Sequence, residues 1–513
     1  MDPIELSLFA SRIEAVCDEM GAVLRRSAFS PNIRDRLDFS CAVFDAHGQL
    51  CAQAAHIPVH LGSMAFAMAD IVGSLQWADG DVVVLNDPFL GGTHLPDVTV
   101  ITPLFHGGEL AAFLVNRAHH ADIGASTPGS MPISGNLAEE GVVIAPVHWY
   151  RAGEEQAQAM AGLLASTRNP DETRGDFAAQ VSANAVGRTR LAQRLSELGL
   201  ASFRDGLREL NAYGARLAAE ALRTIPAGIY RYEDFMDDDG LGNTDLLIRV
   251  AIEVLDGRVD VDFDGTAPQT QGNINCPLSV AAAAVFYVFR CLMPAYTPAC
   301  HGTFSAIRLR APEGCLVNAR RPAAVAAGNV ETSSRIVDVV MGALAKALPE
   351  RIPAASYGGM NNLAMGSSRQ GAAWDYYETI GGGTGGGPAR AGLSGVQAHM
   401  TNTLNTPIEV LEMKYPLRVT EYALRQGSGG NGVHPGGSGL VREFLWLAPG
   451  EATLLTERRR RSPWGLAGGT AGSPGRNLHN GTVVPGKVHL HMAAGDRIRI
   501  ETPGGGGWGE APE

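Results

Sequence analysis

The residues best suited to chemistry stand in two short stretches, Asn86–Asp97 (NDPFLGGTHLPD) and Arg117–Gly124 (RAHHADIG). Between them they carry Asp87, His94, Asp97, His119, His120 and Asp122. Imidazole and carboxylate donors together suit zinc, manganese or iron(II), because mixed borderline and hard donors do not select a thiolate-bound metal. The same residue types beside Gly and Pro also cap turns and helices, so a single one carries no weight. Six of them in two loops favour a metal site, provided the loops meet. Spacing makes His94 and Asp97 better candidates than Asp87, since Asp87-Pro88 can simply end a strand.

The surrounding pattern supplies the meeting. VTVITPLF leaves the first loop, turns at His106-Gly107-Gly108, and returns as ELAAFLVNRAHH, which reads as an antiparallel strand pair. The outer ends of such a pair are neighbours, so Asp97, before the first strand, is expected beside His119, after the second. Upstream, a helix is predicted over 2–27, capped by Asp2 with Pro3 at its first position. DFSCAVFD and GQLCAQ form a strand pair about Ala46-His47-Gly48, followed by a helix near 61–75 and the strand DVVVLND. Helices follow near 169–198 and 201–222, strands over 228–266, and helices at 278–292 and 333–348. After 376 the chain becomes glycine-dense, with interspersed strands such as LVREFLWL and DRIRIET. The expected fold is α+β and multi-lobed. A metal-bearing mixed α/β lobe with antiparallel hairpins, running into the helical middle, spans 1–225; a mixed strand/helix lobe spans 226–375; a glycine-rich β lobe spans 376–513.

Composition narrows the function classes. With 513 residues, 45% hydrophobic and 18% charged, the chain reads as an ordered globular protein of several lobes. A net charge of -12 argues against a nucleic-acid surface. The longest apolar run, Leu278 to Phe289, is too short to cross a bilayer, and Met1-Asp2-Pro3-Ile4-Glu5 lacks a signal-peptide pattern. Seven cysteines without CxxC spacing suggest reduced thiols, and a cytoplasmic location is expected. No lysine stands in a GxxxxGK[ST] context, so the glycine runs read as turns of a β lobe or an anion contact rather than a nucleotide loop. Two polar clusters stay open as substrate-orienting or structural groups: GNVETSSR, with Asn329 and Glu331, and QAHMTNTLNTPIE, with His399, Asn402 and Glu409. ERRRR at 457–461 is a basic knot, read as a solvated loop or a subunit or anion contact.

Several longer segments carry a resemblance. DFSCAVFDAHGQLCAQAAHIPVHLGSM, GDVVVLNDPFLGGTHLPDVTVITPLF, RAHHADIG, NPDETRGDFAAQVSAN, DFDGTAPQTQGNINCP, GNVETSSR and EMKYPLRVTEYALRQGSGGNGVHPGGSGL resemble the hydantoinase B/oxoprolinase family, from about residue 3 to 509. That resemblance implies a hetero-oligomer. A hydantoinase A-like partner with an actin-like ATPase fold binds ATP and phosphorylates an amide or enolate oxygen, and this chain carries a divalent metal and completes the conversion. It also implies the metal ligands Asp38, His94, Asp97 and His119, of which Asp38 rests on the resemblance alone. His120 and Asp122 then become acid–base candidates or partners that orient the ligands. The expected function is the B subunit of an ATP-dependent cyclic amidohydrolase acting on a hydantoin, 5-oxoproline or a related lactam. The alternatives are a subunit of an ATP-dependent ketone carboxylase, such as those for acetone and acetophenone, or a non-catalytic subunit of such a complex. Phosphorylation turns a resonance-stabilised amide oxygen into a leaving group, and a divalent metal makes water nucleophilic near neutral pH.

Overall fold

The computed structural model describes residues 1–55, 57–369 and 373–511. Its architecture is α+β, with mixed helices and largely antiparallel sheets. The first sheet is built from β1 (Phe39–Asp45), β2 (Leu50–Ala55), β3 (Val82–Leu85), β4 (Asp97–His106), β5 (Glu109–His119), β6 (Val147–Arg151) and β7 (Glu154–Glu155). Their order is β2-β1-β5-β4-β3-β6-β7, and every neighbouring pair is antiparallel. Both faces are covered. Cys41, Val43 and Leu114 pack with the helix Pro3–Ser27, while Ala42, Phe44, Phe113 and Val115 pack under the helix His60–Ser74. Double coverage explains why β1 reads as a continuous apolar run instead of alternating.

The helix Pro3–Ser27 starts where its capping residues dictate. Asp2 accepts from Ile4 N and Glu5 N at 2.8 Å, and Glu5 accepts from Asp2 N at 2.9 Å. Its stripe Ile13, Val16, Met20 and Leu24 is buried, each side chain contributing about 1.5–3 kcal/mol. Met20 lies against Gly187 of the helix Pro170–Leu198, where a Cβ would stand 2.4 Å from its sulfur.

A second sheet, β8 (Gly228–Asp238), β9 (Thr244–Leu255), β10 (Arg258–Asp262) and β11 (Ile307–Arg310), runs β11-β10-β9-β8. Against it lie the helices Leu278–Leu292 and Ser333–Leu344. The former is the longest apolar run of the sequence and serves as a core helix. Among the described residues no helix is long and apolar enough to cross a membrane. Two further sheets follow. β12 (Asn362–Ser367), β13 (Trp374–Thr379), β16 (Gly450–Leu455) and β19 (Lys487–Met492) form one, and β14 (Leu417–Arg425), β15 (Gly439–Trp446), β17 (Arg476–His479), β18 (Thr482–Val484) and β20 (Arg497–Glu501) the other.

The glycine runs are more than local turns. They pack backbone against backbone. A Cβ on Gly505 would stand 1.9 Å from Thr384 O, on Gly504 2.0 Å from Ser428 O, and on Gly507 2.0 Å from Asn431 O. Hydrogen bonds cross between the runs: Gly386 N donates to Gly506 O, Gly430 N to Gly505 O, and Gly437 N to Thr384 O, all at 2.8–2.9 Å. Only residues without a side chain permit such approach.

The basic knot differs from its expected solvated role as well. Arg458 is buried between Asp234 and Asp338 at 2.7 and 2.5 Å, Glu457 accepts from Arg335 at 3.1 Å, and Arg459 reaches Asn361 and Asn477. Arg458 and Glu457 persist in the interior because each meets an opposite charge, which a count of basic residues does not reveal. The seven cysteines are all free thiols, and six are buried.

Candidate metal centre

The hairpin places two of the candidates face to face: Asp97 and His119 are register partners at the open end of β4 and β5. β1 lies on the other side of β5, pairing Phe39 with Ala118, and His119 N donates to Asp38 O at 2.9 Å. Asp38 therefore sits at a third neighbouring strand end. His94 enters from the loop before β4, where Asp97 N donates to His94 O at 3.1 Å. His94, Asp97 and His119 each offer a ligand atom, and these atoms lie within 4.8 Å of one another. All three residues are buried.

A third imidazole, not singled out in the sequence, faces the same place. His60, the first residue of its helix, brings Nε2 to 3.5 Å from Asp97 Oδ2, while His94 Nε2 is at 3.4 Å from the same oxygen. The opposite nitrogens are anchored: His60 Nδ1 by Ser40 Oγ at 3.0 Å, His94 Nδ1 by Ala326 O at 3.3 Å, and His119 Nδ1 by the Asn32 amide at 3.1 Å. A carbonyl only accepts, so His94 carries its proton on Nδ1 and turns the Nε2 lone pair inward. Nε2 of His60, His94 and His119 are all buried with no hydrogen-bond partner. One unpaired buried polar atom costs about 1–3 kcal/mol. Three beside one carboxylate fit a divalent cation of the zinc, manganese or iron kind.

The electrostatics agree. Burial opposes charge on Asp97, yet His94 and His60 beside it hold its carboxyl well below the usual range. Burial, reinforced by His94, keeps His119 far below the ordinary imidazole value, and burial lowers His60 against the pull of Asp97. His94 moves up, because Asp97 outweighs its burial. Burial pushes Asp38 up to about 7, against the Arg36 guanidinium 3.8 Å away. Arg117, fully buried, donates only to neutral oxygens of Thr99, Ser63 and Gly91. The centre thus holds two carboxylates, Asp38 and Asp97, near two guanidiniums, Arg36 and Arg117.

The remaining sequence candidates go elsewhere. His120 follows the last residue of β5 and has partners of its own. Its Nε2 meets Gln180 Oε1 at 2.9 Å and its ring packs on Phe177, with centroids 4.3 Å apart. Asp122 accepts from Arg168 N at 2.6 Å and Gly124 N at 2.8 Å, and shares a small enclosed space with His120, Asp176 and Asp375. Asp87 caps the short turn Pro88–Leu90 and pairs with Arg321. Of the two open polar clusters, Asn329 touches the trio, donating to Asp97 Oδ2 at 3.3 Å. Asn402 and Glu409 are exposed, and His399 stands near Tyr287. His60 lies in the segment HIPVHLGSM, and its one available signal is an imidazole opening an apolar helix after a proline.

Comparison with known proteins places these residues in context. Residues 2–511 match the family model described as Hydantoinase B/oxoprolinase. The 5-oxoprolinase 1 of Arabidopsis thaliana is 37% identical over 99% of this chain, which spans only 42% of that relative's length. A protein of Pseudomonas sp. strain NS671, provisionally named the B subunit of a D-/L-hydantoinase, is 31% identical over 100% of this chain and 91% of its own. The crystal structure of the ATP-dependent caprolactamase from Pseudomonas jessenii superposes with a TM-score of 0.91 at 28% identity, covering 100% of this chain and 92% of that one.

Proposed function

The chain belongs to the hydantoinase B/oxoprolinase family, and from that premise we propose that it is the metal-bearing, hydrolytic B subunit of an ATP-dependent cyclic amidohydrolase. Its substrate would be a hydantoin, 5-oxoproline or a related lactam, activated by phosphorylation on a separate A-type ATPase subunit. The observation that carries this reading is the buried trio His94, Asp97 and His119 with its inward, unpartnered imidazole nitrogens. Asp38 stands beside it as the fourth candidate ligand.

Bound there, a divalent ion would lower the pKa of a water towards neutrality and so supply a nucleophile. The chain's own residues do the rest. With both carboxylates ionised, Asp38 and Asp97 would balance Arg36 and Arg117 in charge, and a divalent ion would leave the centre net positive. A buried positive centre favours the anionic oxygens of a phosphorylated amide over a neutral lactam. His60 Nε2 faces Asp97 from the helix His60–Ser74 and is placed to hydrogen-bond an oxygen held at the centre. His120, bound to Gln180, and Asp122, bound to Arg168, would brace the segment that follows the strand end carrying His119.

Metal analysis of the purified chain, wild type beside His94→Ala, tests this first. About one equivalent of zinc, manganese or iron in the wild type and little in the variant is the expected result. No metal in the wild type, even with an A-type subunit and added ions, would sink the assignment. With that subunit and ATP, release of an open-chain acid from a lactam supports hydrolysis. Fixation of CO2 into a ketone would select the carboxylase alternative, and turnover unaffected by His94→Ala the non-catalytic one.

A further inference from the structure

The segment Gly328–Thr332 (GNVET) forms one buried π-turn ahead of the helix Ser333–Leu344, closed by Ser333 N donating to Gly328 O. Such widened turns are rare and recur at functional sites. Gly328 is required there, since a Cβ would stand 1.8 Å from Asn275 O. Two side chains leave the turn in different directions. Asn329 donates to Asp97 Oδ2 at 3.3 Å. Glu331 Oε1 accepts from Met360 N at 2.9 Å, Asn361 N at 3.2 Å and Asn362 Nδ2 at 2.6 Å. Asn362 Oδ1 in turn accepts from the Tyr377 hydroxyl at 2.6 Å. The Tyr377 ring lies flat on His119, with centroids 4.8 Å apart and planes 3° from parallel. Gly359 makes room for the carboxylate, because a Cβ there would meet Glu331 Oε2 at 2.1 Å.

We propose that this π-turn positions the metal centre through two arms. Asn329 fixes the Asp97 carboxylate, and Glu331, through Asn362 and Tyr377, fixes the plane of the His119 imidazole. Glu331, Asn362 and Tyr377 are positioning residues for a ligand they do not coordinate. The inference rests on the reading that His94, Asp97 and His119 hold a divalent ion. Its physical basis is geometric: an imidazole binds a metal along one in-plane lone pair, so a ring free to tilt loses affinity even when its nitrogen stays nearby. The Asn32 amide at His119 Nδ1 restrains rotation within the ring plane, and the stacked Tyr377 restrains tilt out of it. Tyr377 holds its own plane because its hydroxyl is tied to Asn362, and Asn362 is tied to Glu331.

The test is Co(II) titration of the full chain, read by visible absorption and by competition affinity. Tyr377→Phe removes one hydroxyl and should weaken Co(II) binding about tenfold and shift its visible bands. Asn329→Ala, on the other arm, should also weaken binding. Glu331→Gln keeps an acceptor oxygen and should stay close to wild type. Tyr376→Phe is the control: its hydroxyl is equally buried but donates to Glu378 at 2.9 Å, away from the trio, and loss of a merely structural bond should leave the spectrum unchanged. Wild-type affinity and bands in both Tyr377→Phe and Asn329→Ala would overturn the proposal, as would an equal spectral change in Tyr376→Phe. If the wild type binds no Co(II), the metal reading falls and this inference with it. If the wild type binds and the two arms prove silent, only the inference falls.

Discussion

Glu331 and Asp375 are buried carboxyls that meet too little positive charge to ionise readily, and burial pushes each up to about 8. For Glu331 the neighbours are Glu457, which raises it further, and Lys487 and Arg459, which oppose; for Asp375 they are Asp122 and Glu172 against Arg168 and Lys414. A carboxyl that keeps its proton in the folded chain but loses it in the unfolded one makes stability fall as pH rises. Each such group contributes fully below its unfolded pKa and is lost by the time pH reaches its folded value, at up to ~1.4 kcal/mol per pH unit. The Glu331 contribution should therefore fall between pH ~4.5 and 8, and Glu331→Gln should remove that downward component from the pH dependence of urea unfolding measured across the range. An unchanged slope would mean that Glu331 ionises freely. The same residue scale shows what a linear sequence can disclose. His94, Asp97 and His119 were legible because a hairpin converts sequence spacing into proximity. His60 was not, because its approach depends on where a helix docks. Glu331 was legible only as a polar residue, since its partners Met360, Asn361 and Asn362 lie on a distant segment.

At the scale of elements, the loop before β4 is held by close approach as well as by turn chemistry. Gly91 has φ 79°, and a Cβ would stand 2.1 Å from Ala67 N in the helix His60–Ser74. Gly91→Ala thus forces both a left-handed alanine and a displaced helix, and should cost about 2 kcal/mol or more in chemical denaturation. Gly73, at the end of the same helix, has open space around it. Gly73→Ala should be neutral or stabilising by about 0.5–1 kcal/mol, which makes it a matched control. Loss of stability in both would point to helix composition instead of packing at Gly91. Helices and strands of the first half follow their periodicity closely, because capping residues such as Asp2 and turn residues such as Gly107-Gly108 announce their ends. The π-turn at Gly328–Thr332 carried no such marker, since its widened register is imposed by what it must reach.

Across the whole molecule, the glycine runs changed meaning most. In the sequence each run looks like a local turn. In the fold they are one another's packing partners, a relation that only long-range contact can reveal. Gly505→Ala should accordingly disrupt the C-terminal part far more than an exposed substitution, with hydrogen exchange accelerating over 381–387 and 427–439 together. Retained protection in those runs would show that the bundle tolerates a methyl group.

The segment 504–507 touches backbone near Thr384, Ser428, Asn431 and Trp464, so the latest of the four glycine runs packs against all three earlier ones or their neighbours. During synthesis the earlier glycine runs emerge with few side chains to collapse on and before the run that packs among them. Glycine also surrenders more backbone freedom on ordering than any other residue. This packing therefore cannot be completed before residue 507 has been made. A chain cut short by even a few codons there would leave the three earlier runs without the backbone that packs against them.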